Sequence, residues 1–598
     1  MFDRFCLGIF PCFLRLAKCA VVFFGLLACA LGTARAEEPG KESVEHFEYF
    51  KRENSIVITR YLGVEKHVRI PAQIEGLPVE AIAGRIVGAF SAPPKVQPAK
   101  SIEPTQGWKF LTSVEIPGSV KKIGAHAFRG CTKLEHVKIP EGVEEIDRNA
   151  FEGCHALGAL EIPDSVTRID AAAFVDCPKI QLLFSKNAAF KMVDGILFSR
   201  DGTRLVVCIV PKEGEYKIPD DVVEIGNNAF ACCSGLTHIT IPDDVVEIGN
   251  NAFAHCSSLV SISIPDSVVE IGNSAFAHCS SLVSISIPDG VRAISNDMFR
   301  GCTSLTQITI PDSVTWIGED AFSECSNLRS IEIPARVDEI RHGAFAHCTS
   351  LTSITIPDGV KVLRHWLFFD CTNLVSVEIP KNLAEIEHGV CKGCTSLKSF
   401  TIPEGITSIS DHMFYGCASL SQITIPDSVT QIGQFAFREC ASLTHIEIPN
   451  SVAMIGDGAF AFCPKLTFSV SDSNEAFRST DGVLFSKDGT ELIAFGGANE
   501  GEYRIPNGVK RIRDSAFNGC TSLSSVWIPE GVERILRNTF FGCTNLTTVT
   551  LPASLRWIEL DDRTLIPPQI TLRCVAGSHF AKVAKQRRIP VELYEAPR

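Results

Sequence analysis

Cysteine recurs every 23 residues through the middle of the chain, and thiols at a fixed spacing can pair as disulfides or bind metal ions. If successive units stack about 5 Å apart, neighbouring cysteines lie within reach of a bridge. Many cysteines in an exported protein favour disulfides, but each internal cysteine has two equivalent neighbours, and cysteine is commonly buried in cores. We therefore favour a reduced, packed column and keep disulfide pairing as the alternative. The unbroken series is Cys233, Cys256, Cys279, Cys302, Cys325, Cys348, Cys371, Cys394, Cys417, Cys440 and Cys463.

Histidine stands directly before cysteine in three units and suggests a pair of metal ligands. Zinc requires about four converging ligands, whereas adjacent residues of an extended segment point in opposite directions. Two of the units are also copies, since the text Ser-Ser-Leu-Val-Ser-Ile-Ser-Ile-Pro begins at both Ser257 and Ser280. Duplication of units explains the pairs, and we predict neither a metal nor another cofactor. The pairs are His255-Cys256, His278-Cys279 and His347-Cys348.

Sequence motifs for catalysis are absent: there is no Gly-x-Ser-x-Gly, no His-Glu-x-x-His and no phosphate-binding loop. The acidic residues recur at repeat positions instead of forming a unique pair. An enzyme also needs a singular cavity, which a filled stack of repeats does not offer. We predict that the protein is not an enzyme.

One unit, residues 305–325, shows which elements position these side chains. Ile308 and Ile310 alternate with Thr309, which is the period of a short strand with the isoleucines inward. Pro311 ends the strand, because proline has no amide hydrogen for a neighbouring strand. The Ile-Gly and Ala-Phe steps that follow are too closely spaced for a long helix, so we predict a one-turn helical or 3₁₀ segment on the outer side.

Phenylalanine occupies the same place in nearly every unit, which predicts a continuous interior column. A 23-residue period is typical of a stacked solenoid, so the units should form coils along a parallel β-ribbon with capped ends. At Cys391 a second cysteine replaces phenylalanine, and we predict a locally underfilled layer. The column comprises Phe128, Phe151, Phe174, Phe230, Phe253, Phe276, Phe299, Phe322, Phe345, Phe368, Phe414, Phe437, Phe460, Phe517 and Phe540.

Two interruptions of the repeat share the text Asp-Gly, an apolar residue and Leu-Phe-Ser, and this pattern indicates a β-hairpin. We expect each hairpin to be inserted in the stack and to project from it. The predicted organisation is an N-terminal cap with an irregular loop at 37–110, coils at 111–187, a hairpin insertion at 188–218, coils at 219–473, a hairpin insertion at 474–505, coils at 506–558 and a C-terminal cap with a short basic helix at 559–598.

The first 36 residues have the features of a secretory signal peptide. Cations precede an apolar run, and residues 34–36 (Ala-Arg-Ala) form a small-x-small cleavage site. We predict export, to the medium or the cell surface, with a mature chain that starts near Glu37 and has no transmembrane span. Residues 26–29 (Leu-Leu-Ala-Cys) also resemble a bacterial lipobox, so lipoprotein anchoring at Cys29 is the less favoured alternative.

Composition limits the class of protein and the class of partner. Hydrophobic residues make up 45% of the chain and charged residues 21%, which excludes disorder. The formal net charge is −13. We predict no nucleic-acid partner, because such binding depends on neutralising phosphates.

The outward residues of the strands form the surface on which such a fold would be expected to bind a partner. Through the middle of the chain these residues are mainly serine and threonine. Tight interfaces concentrate Trp, Tyr and Arg, and in the strands this combination occurs near Arg504 and Trp527. These two residues are our candidate partner-binding residues; a lone exposed aromatic or a capping contact is the alternative.

The repeat Leu-x-x-Ile-x-Ile-Pro-x-x-Val-x-x-Ile-Gly-x-x-Ala-Phe-x-x-Cys, the two hairpin texts and residues 576–581 (Ala-Gly-Ser-His-Phe-Ala) resemble the BspA-like leucine-rich-repeat proteins. The resemblance covers roughly residues 55–595 and implies a leucine-rich-repeat solenoid of the α/β horseshoe type. Characterised relatives are surface or secreted proteins, and several are adhesins for host matrix proteins or other cells. The resemblance therefore implies binding of proteins or cell-surface macromolecules, but it transfers no binding residue. A structural envelope component or a passive spacer is the alternative.

Overall fold

The computed structural model describes residues 44–83, 110–170, 172–184, 187–497, 499–536, 538–558 and 569–595. Within these ranges the chain winds as a parallel β-solenoid, in which each coil presents three hydrogen-bonded sides to its neighbours. The predicted signal peptide, its cleavage site and Cys29 lie outside the described residues, as does nearly all of the predicted irregular loop.

The first side, here called the strand face, contains the short strand that ends at the Ile-Pro step. For example, Gln307–Thr309 pairs in parallel with Ser284–Ser286, and Ile308 is placed opposite Ile285. The central isoleucine is buried in each case while its neighbours face outward, as the period of two requires. The strands of this side are β3 (His67–Arg69), β6 (Ser113–Glu115), β8 (His136–Lys138), β10 (Ala159–Glu161), β12 (Gln181–Leu183), β16 (Gly214–Lys217), β18 (Leu236–Thr240), β20 (Ser261–Ser263), β22 (Ser284–Ser286), β24 (Gln307–Thr309), β27 (Ser353–Thr355), β29 (Ser376–Glu378), β33 (His445–Ile448), β35 (Thr467–Val470), β39 (Gly501–Arg504), β41 (Leu523–Trp527), β43 (Thr548–Leu551), β45 (Thr571–Val575) and β46 (Val591–Tyr594).

The second side is a ladder of mostly two-residue strands that end at the isoleucine of the Ile-Gly step. Trp316–Ile317, for example, pairs in parallel with Ala293–Ile294 before it and with Glu339–Ile340 after it. The strands of this second ladder are β2 (Ile56–Tyr61), β5 (Leu77–Ile82), β7 (Lys122–Ile123), β9 (Glu145–Ile146), β11 (Arg168–Ile169), β15 (Arg204–Cys208), β17 (Glu224–Ile225), β19 (Glu247–Ile248), β21 (Glu270–Ile271), β23 (Ala293–Ile294), β25 (Trp316–Ile317), β26 (Glu339–Ile340), β28 (Val362–Leu363), β30 (Glu385–Ile386), β31 (Ser408–Ile409), β32 (Gln431–Ile432), β34 (Met454–Ile455), β38 (Glu491–Ala494), β40 (Arg511–Ile512), β42 (Arg534–Ile535) and β44 (Trp557–Ile558).

The third side, here called the turn face, consists of a series of turns. They stand where the sequence predicts a one-turn helical or 3₁₀ segment. Asp320 and Glu324 have positive φ angles of 51° and 64°, which interrupt a right-handed helix. The amides of Asp320, Phe322 and Glu324 instead donate to carbonyls of the next coil at 2.9, 2.8 and 2.8 Å. The alternate amides bond within their own coil, so this side too is a ladder between coils.

Within each part of the core, like side chains from successive coils pack on one another. The phenylalanine column is confirmed: the rings of Phe322 and Phe345, for example, stack with centroids 5.6 Å apart and an interplanar angle of 1°. Cys391 interrupts the column and is fully buried, while Phe400 on the strand face packs edge-on against Phe414 at 5.2 Å. The underfilled layer at Cys391 stays a prediction.

The hairpins do not project from the stack, and that expectation was wrong. In each insertion, the two strands that follow the first Asp-Gly step are largely buried; in the first insertion these are Ile196–Ser199 and Arg204–Cys208. Their side chains alternate between two separate core clusters, so that Ile196 packs into the central cluster and Leu197 into the N-terminal one. Because both faces of the strand are apolar, both must be covered by coils. The hairpins thus divide the core into clusters spanning residues 47–209, 196–494 and 483–584. Their remaining strands are β13 (Phe190–Val193), β14 (Ile196–Ser199), β36 (Phe477–Thr480) and β37 (Val483–Ser486).

The ends of the solenoid are closed by local elements. At the start, β1 (Phe47–Lys51) pairs antiparallel with β2, and β4 (Gln73–Ile74) pairs antiparallel with β5. At the end, the expected basic helix is α1 (His579–Arg587), whose N-cap Ser578 accepts a hydrogen bond from the Ala581 amide. In the part of the chain that the structure describes, no helix is long and apolar enough for a membrane span.

Candidate functional site

Arg504 and Trp527, the two residues named from the sequence, lie side by side on the strand face. They are register partners on β39 and β41. The Arg504 side chain is 74% exposed, and its Nε donates to Glu502 Oε1 at 3.1 Å. Trp527 is half-buried. The two residues are therefore available together at a surface, and their role in binding stays a prediction.

The cysteine column is buried in the core and is suited to packing more than to chemistry. From Cys256 to Cys463, the thiols of the column donate to the carbonyl oxygen of the residue 26 positions earlier, as Cys325 does to Phe299 at 3.2 Å. Burial raises the pKa of most of these thiols, for example that of Cys302 to about 12, so they are poor thiolate nucleophiles. Cys233 is the exception, because a hydrogen bond with Cys208 lowers its pKa. The neighbouring histidines point away: His255 is exposed, whereas Cys256 is buried.

The turn face carries a second group of side chains that are suited to contact. We number the turn positions of each coil from 1, the residue after the second-ladder isoleucine, to 7, the residue before the cysteine. In the coil that contains Gly318 at position 1, Ala321 and Phe322 at positions 4 and 5 point into the core. Positions 2, 3 and 7 line the surface of the turn face, and position 6 does so where it carries a large side chain, whereas the small Ser323 at position 6 is buried.

Aromatic and cationic side chains from successive coils meet at these surface positions between residues 366 and 462. The Nζ atom of Lys392 lies 5.0, 5.2 and 5.2 Å from the ring centroids of Trp366, Phe369 and Tyr415. These distances are those of cation–π contacts. We call the whole group the aromatic patch; its residues are Trp366, Phe369, Lys392, His412, Tyr415, Phe435, Arg438 and Phe462.

Arg438 repeats this arrangement farther along the aromatic patch. Its Cζ atom lies 5.6, 5.4 and 5.0 Å from the ring centroids of Tyr415, Phe435 and Phe462. Glu439 accepts hydrogen bonds from Tyr415 Oη at 3.1 Å and from Arg438 Nε at 3.2 Å. Tyr415 thus joins the two cations into one continuous surface.

Glycine in the following coil makes room for the rings at position 3. Gly389 has a φ of 63°, and a Cβ atom there would lie 2.6 Å from the Trp366 indole. A Cβ atom at Gly458 would likewise lie 2.5 Å from the Phe435 ring. The rings therefore lie against the backbone of the next coil, and Trp366 keeps 38% of its surface exposed.

A column of histidines at position 2 borders the aromatic patch and converges on one carboxylate. The rings of His342, His365 and His388 stack at 5.1 and 5.2 Å. Glu387 Oε2 lies 3.3 Å from His365 Nε2 and 3.7 Å from His342 Nδ1, while Glu387 Oε1 accepts from Arg364 Nη1 at 2.9 Å.

The charges of this column follow from burial and hydrogen bonding. Burial lowers the pKa of His365, which Glu387 only partly offsets. Burial alone would raise the pKa of Glu387, but hydrogen bonds from Arg364 and from the His365 amide hold it below its ordinary value. These groups could hold a metal ion, since one ligand atom from each of His342, His365 and Glu387 lies within 4.8 Å of the other two.

Both groups were missed in the sequence, although each leaves a signal there. His342, His365 and His388 are separated by 23 residues, and the turn positions could have been aligned as the strand positions were. The aromatic patch is harder to find, because Trp366 and Lys392 occupy different positions of different coils. Only the geometry of the turns shows that they are neighbours.

Comparison with known proteins identifies the repeat. The model of the "BspA type leucine rich repeat region" matches residues 107–205, 212–315, 292–417, 368–481 and 492–561, which together make up most of the chain. No curated protein matches the chain significantly.

Several solved structures are similar to the chain. A leucine-rich repeat protein from Bacteroides ovatus is 23% identical, with 89% of this chain and 99% of that chain covered and a TM-score of 0.32. A leucine rich cell surface protein from Faecalibacterium prausnitzii is 23% identical, with coverages of 67% and 98% and a TM-score of 0.28. A leucine rich repeat protein from T. pallidum is 26% identical, with coverages of 48% and 92% and a TM-score of 0.19.

Proposed function

The chain belongs to the family of BspA-type leucine-rich-repeat proteins, and from this premise we propose that it is an exported, adhesin-like protein that binds other proteins at a cell surface. The observation that carries the proposal is the aromatic patch. Leader-like features in residues 1–36 support export.

The composition of the aromatic patch is that of a protein-binding surface. Aromatic residues and arginine are enriched where interfaces derive most of their binding energy. The chain contains only 5 tryptophans and 6 tyrosines, and the patch places Trp366 and Tyr415 around one lysine. Trp366 and Phe435 lie against the backbone at Gly389 and Gly458, which restricts these two rings, so little of their side-chain entropy is lost when a partner contacts them.

The alternative function is a structural envelope component or a passive spacer. It is favoured by the copied coils, where position 6 is alanine at Ala231, Ala254 and Ala277. A spacer has no use for a cluster of half-exposed aromatic rings, which would only increase the risk of nonspecific association. We therefore place the binding function first.

The test measures binding of the mature chain, residues 37–598, to immobilised extracellular-matrix protein and to envelope prepared from its own source. Three variants are compared with the wild type: Trp366→Ala with Tyr415→Ala in the aromatic patch, Arg504→Ala with Trp527→Ala on the strand face, and His255→Ala with His278→Ala as a control on the turn face. We expect saturable binding to matrix that falls at least about 30-fold in the patch variant alone, because two truncated hot-spot residues cost about 2 kcal/mol or more.

Other outcomes assign the function differently. If only the Arg504→Ala with Trp527→Ala variant lost binding to matrix, the binding site would lie on the strand face and not at the aromatic patch. Retention only by the protein's own envelope, unchanged in every variant, would contradict the adhesin-like function and favour the structural one. Export is tested by fractionation with and without protease shaving; protein protected in the cytoplasm would contradict it.

A further inference from the structure

We propose that His342, His365 and Glu387 form a binding site for a divalent transition-metal ion of the zinc class at the border of the aromatic patch. The three side chains come from three successive coils of the turn face. The site is independent of the proposed binding function, because it depends on no partner.

The geometry brings three different ligand atoms to one point. The atoms are His342 Nδ1, His365 Nε2 and Glu387 Oε2, and the carboxylate oxygen lies 3.7 and 3.3 Å from the two nitrogens. To bind one ion with bonds of about 2.0 to 2.2 Å, the His342 and His365 rings, which stack at 5.1 Å with an interplanar angle of 13°, must rotate so that both nitrogen lone pairs point at the ion. Two imidazoles and one carboxylate are the ligand set of zinc sites that keep a fourth position open. Calcium and magnesium prefer oxygen ligands and are not favoured here.

One ligand atom makes no hydrogen bond, although it lies 3.7 Å from the Glu387 carboxylate. Among the described residues, His342 Nδ1 is buried and has no hydrogen-bond partner. A buried polar atom without a partner is unfavourable, and a bound metal ion would satisfy it. The ring itself is 45% exposed and that of His365 36%, so an ion from solution can reach the site.

The remaining contacts hold the carboxylate in place. Glu387 is only 11% exposed; its Oε1 is held by Arg364, and its Oε2 also accepts from the His365 amide at 2.9 Å. Such outer contacts orient the ligands of metal sites. The same Arg364 carries a positive charge beside the site, which opposes the binding of a dication.

Metal binding also requires a change of tautomer at His365. In the structure His365 Nδ1 accepts from the His388 amide at 3.1 Å, which leaves the proton on Nε2. A metal ion on Nε2 moves that proton to Nδ1 and breaks this hydrogen bond. Breaking this hydrogen bond lowers the affinity for the metal ion but does not prevent binding, because one exposed hydrogen bond contributes about 1 kcal/mol.

The experiment titrates Zn²⁺ into the metal-free mature chain by calorimetry, with Co²⁺ absorption as a second probe of nitrogen and oxygen coordination. We expect one ion per chain, and at least a tenfold weaker affinity in each of His342→Ala, His365→Ala and Glu387→Gln. His255→Ala with His278→Ala is the matched control: these rings also stack, at 4.7 Å, and within the described residues no carboxylate pairs with both of them; the exposed Cys232 holds the equivalent position one coil before His255. This control should bind as the wild type does.

Three results would overturn the proposal: the absence of saturable binding, equal binding in all variants, or loss in the control alone, which would place the ion at Cys232. If Glu387→Gln fails to fold, as judged by circular dichroism, the two half-exposed histidines still decide the question. Failure of this site leaves the matrix-binding assay unaffected, so the two proposals can fail separately.

Discussion

Two stretches of the turn face have the same backbone and different surfaces. In the copied coils, residues 226–279, positions 2, 3, 6 and 7 carry asparagine, serine and alanine, together with the exposed Cys232 and the pair His255 and His278. In the coils of residues 341–462, the same positions carry the histidine column and the aromatic patch. Both stretches keep alanine or another apolar residue at position 4, phenylalanine at position 5 except at Cys391, and the ladder of amides between coils.

The difference shows how the solenoid separates stability from function. The inward positions and the backbone ladders are common to all coils, so they support the stack without specifying a partner. The outward turn positions are free to vary, because their side chains contact other surface positions of the same or nearby coils and not the core. A coil can therefore acquire a binding surface without any change in its core.

The largest effect should come from the shared core and should be equal in the two stretches. Phe276 and Phe437 are both fully buried, and each stacks on two neighbouring rings at 5.4 to 5.7 Å. Truncation of either residue to alanine should lower the free energy of unfolding by about 3 to 5 kcal/mol. Urea unfolding followed by circular dichroism measures this. If Phe437→Ala lowered the free energy of unfolding much less than Phe276→Ala does, the coils that carry the aromatic patch would not be built on the same core.

The features that could be predicted from the sequence are those set by the backbone period. Alternation around Ile308 predicted the strand, and the recurrence of Phe322 and its equivalents predicted the ring column. The burial of the hairpins could not be predicted, because Ile196 and Leu197 show that both faces are apolar but not what covers them. The aromatic patch depends on left-handed turn residues such as Trp366 and Phe435, whose conformation no residue type in the repeat requires.

A smaller effect is expected from the side chains that bridge coils at position 2. In the copied coils Asn250 Oδ1 accepts from the Asn273 amide at 2.7 Å, and in the other stretch Asp411 Oδ1 does the same for Gln434 at 2.6 Å. Asn250→Ala should lower the free energy of unfolding by about 1 kcal/mol. Asn250→Asp should be nearly neutral, since it keeps the acceptor. If Asn250→Ala and Asn250→Asp lowered the free energy of unfolding equally, the hydrogen bond from the Asn273 amide would not be what stabilises the stack here.

The cation at the centre of the aromatic patch should contribute less still to stability. Lys392 contacts three rings but stays partly exposed, and such contacts are worth about 0.5 to 1 kcal/mol. Lys392→Met, which keeps the length of the side chain, should therefore reduce the free energy of unfolding by no more than this. The matched control is Lys398→Met at an exposed lysine. A loss of several kcal/mol would mean that the patch serves the fold and not a partner.

The smallest effect is a dependence on pH that both stretches should share. Burial, and then the neighbouring His278, lowers the pKa of His255; burial and Lys392 lower that of His412. The unfolded chain, with a histidine pKa of about 6.5, thus binds more protons than the folded one between the two pKa values. Stability should fall as the pH drops into this window.

His255→Gln and His412→Gln each remove one such group and are compared with the wild type in urea unfolding at about pH 7.5 and about pH 5.5. Each variant should lose less free energy of unfolding on acidification than the wild type does. A steeper loss in His412→Gln alone would mean that protonated His412 is stabilised by Asp411, which lies on the same turn. The patch would then differ from the copied coils in its charge balance as well as in its side chains.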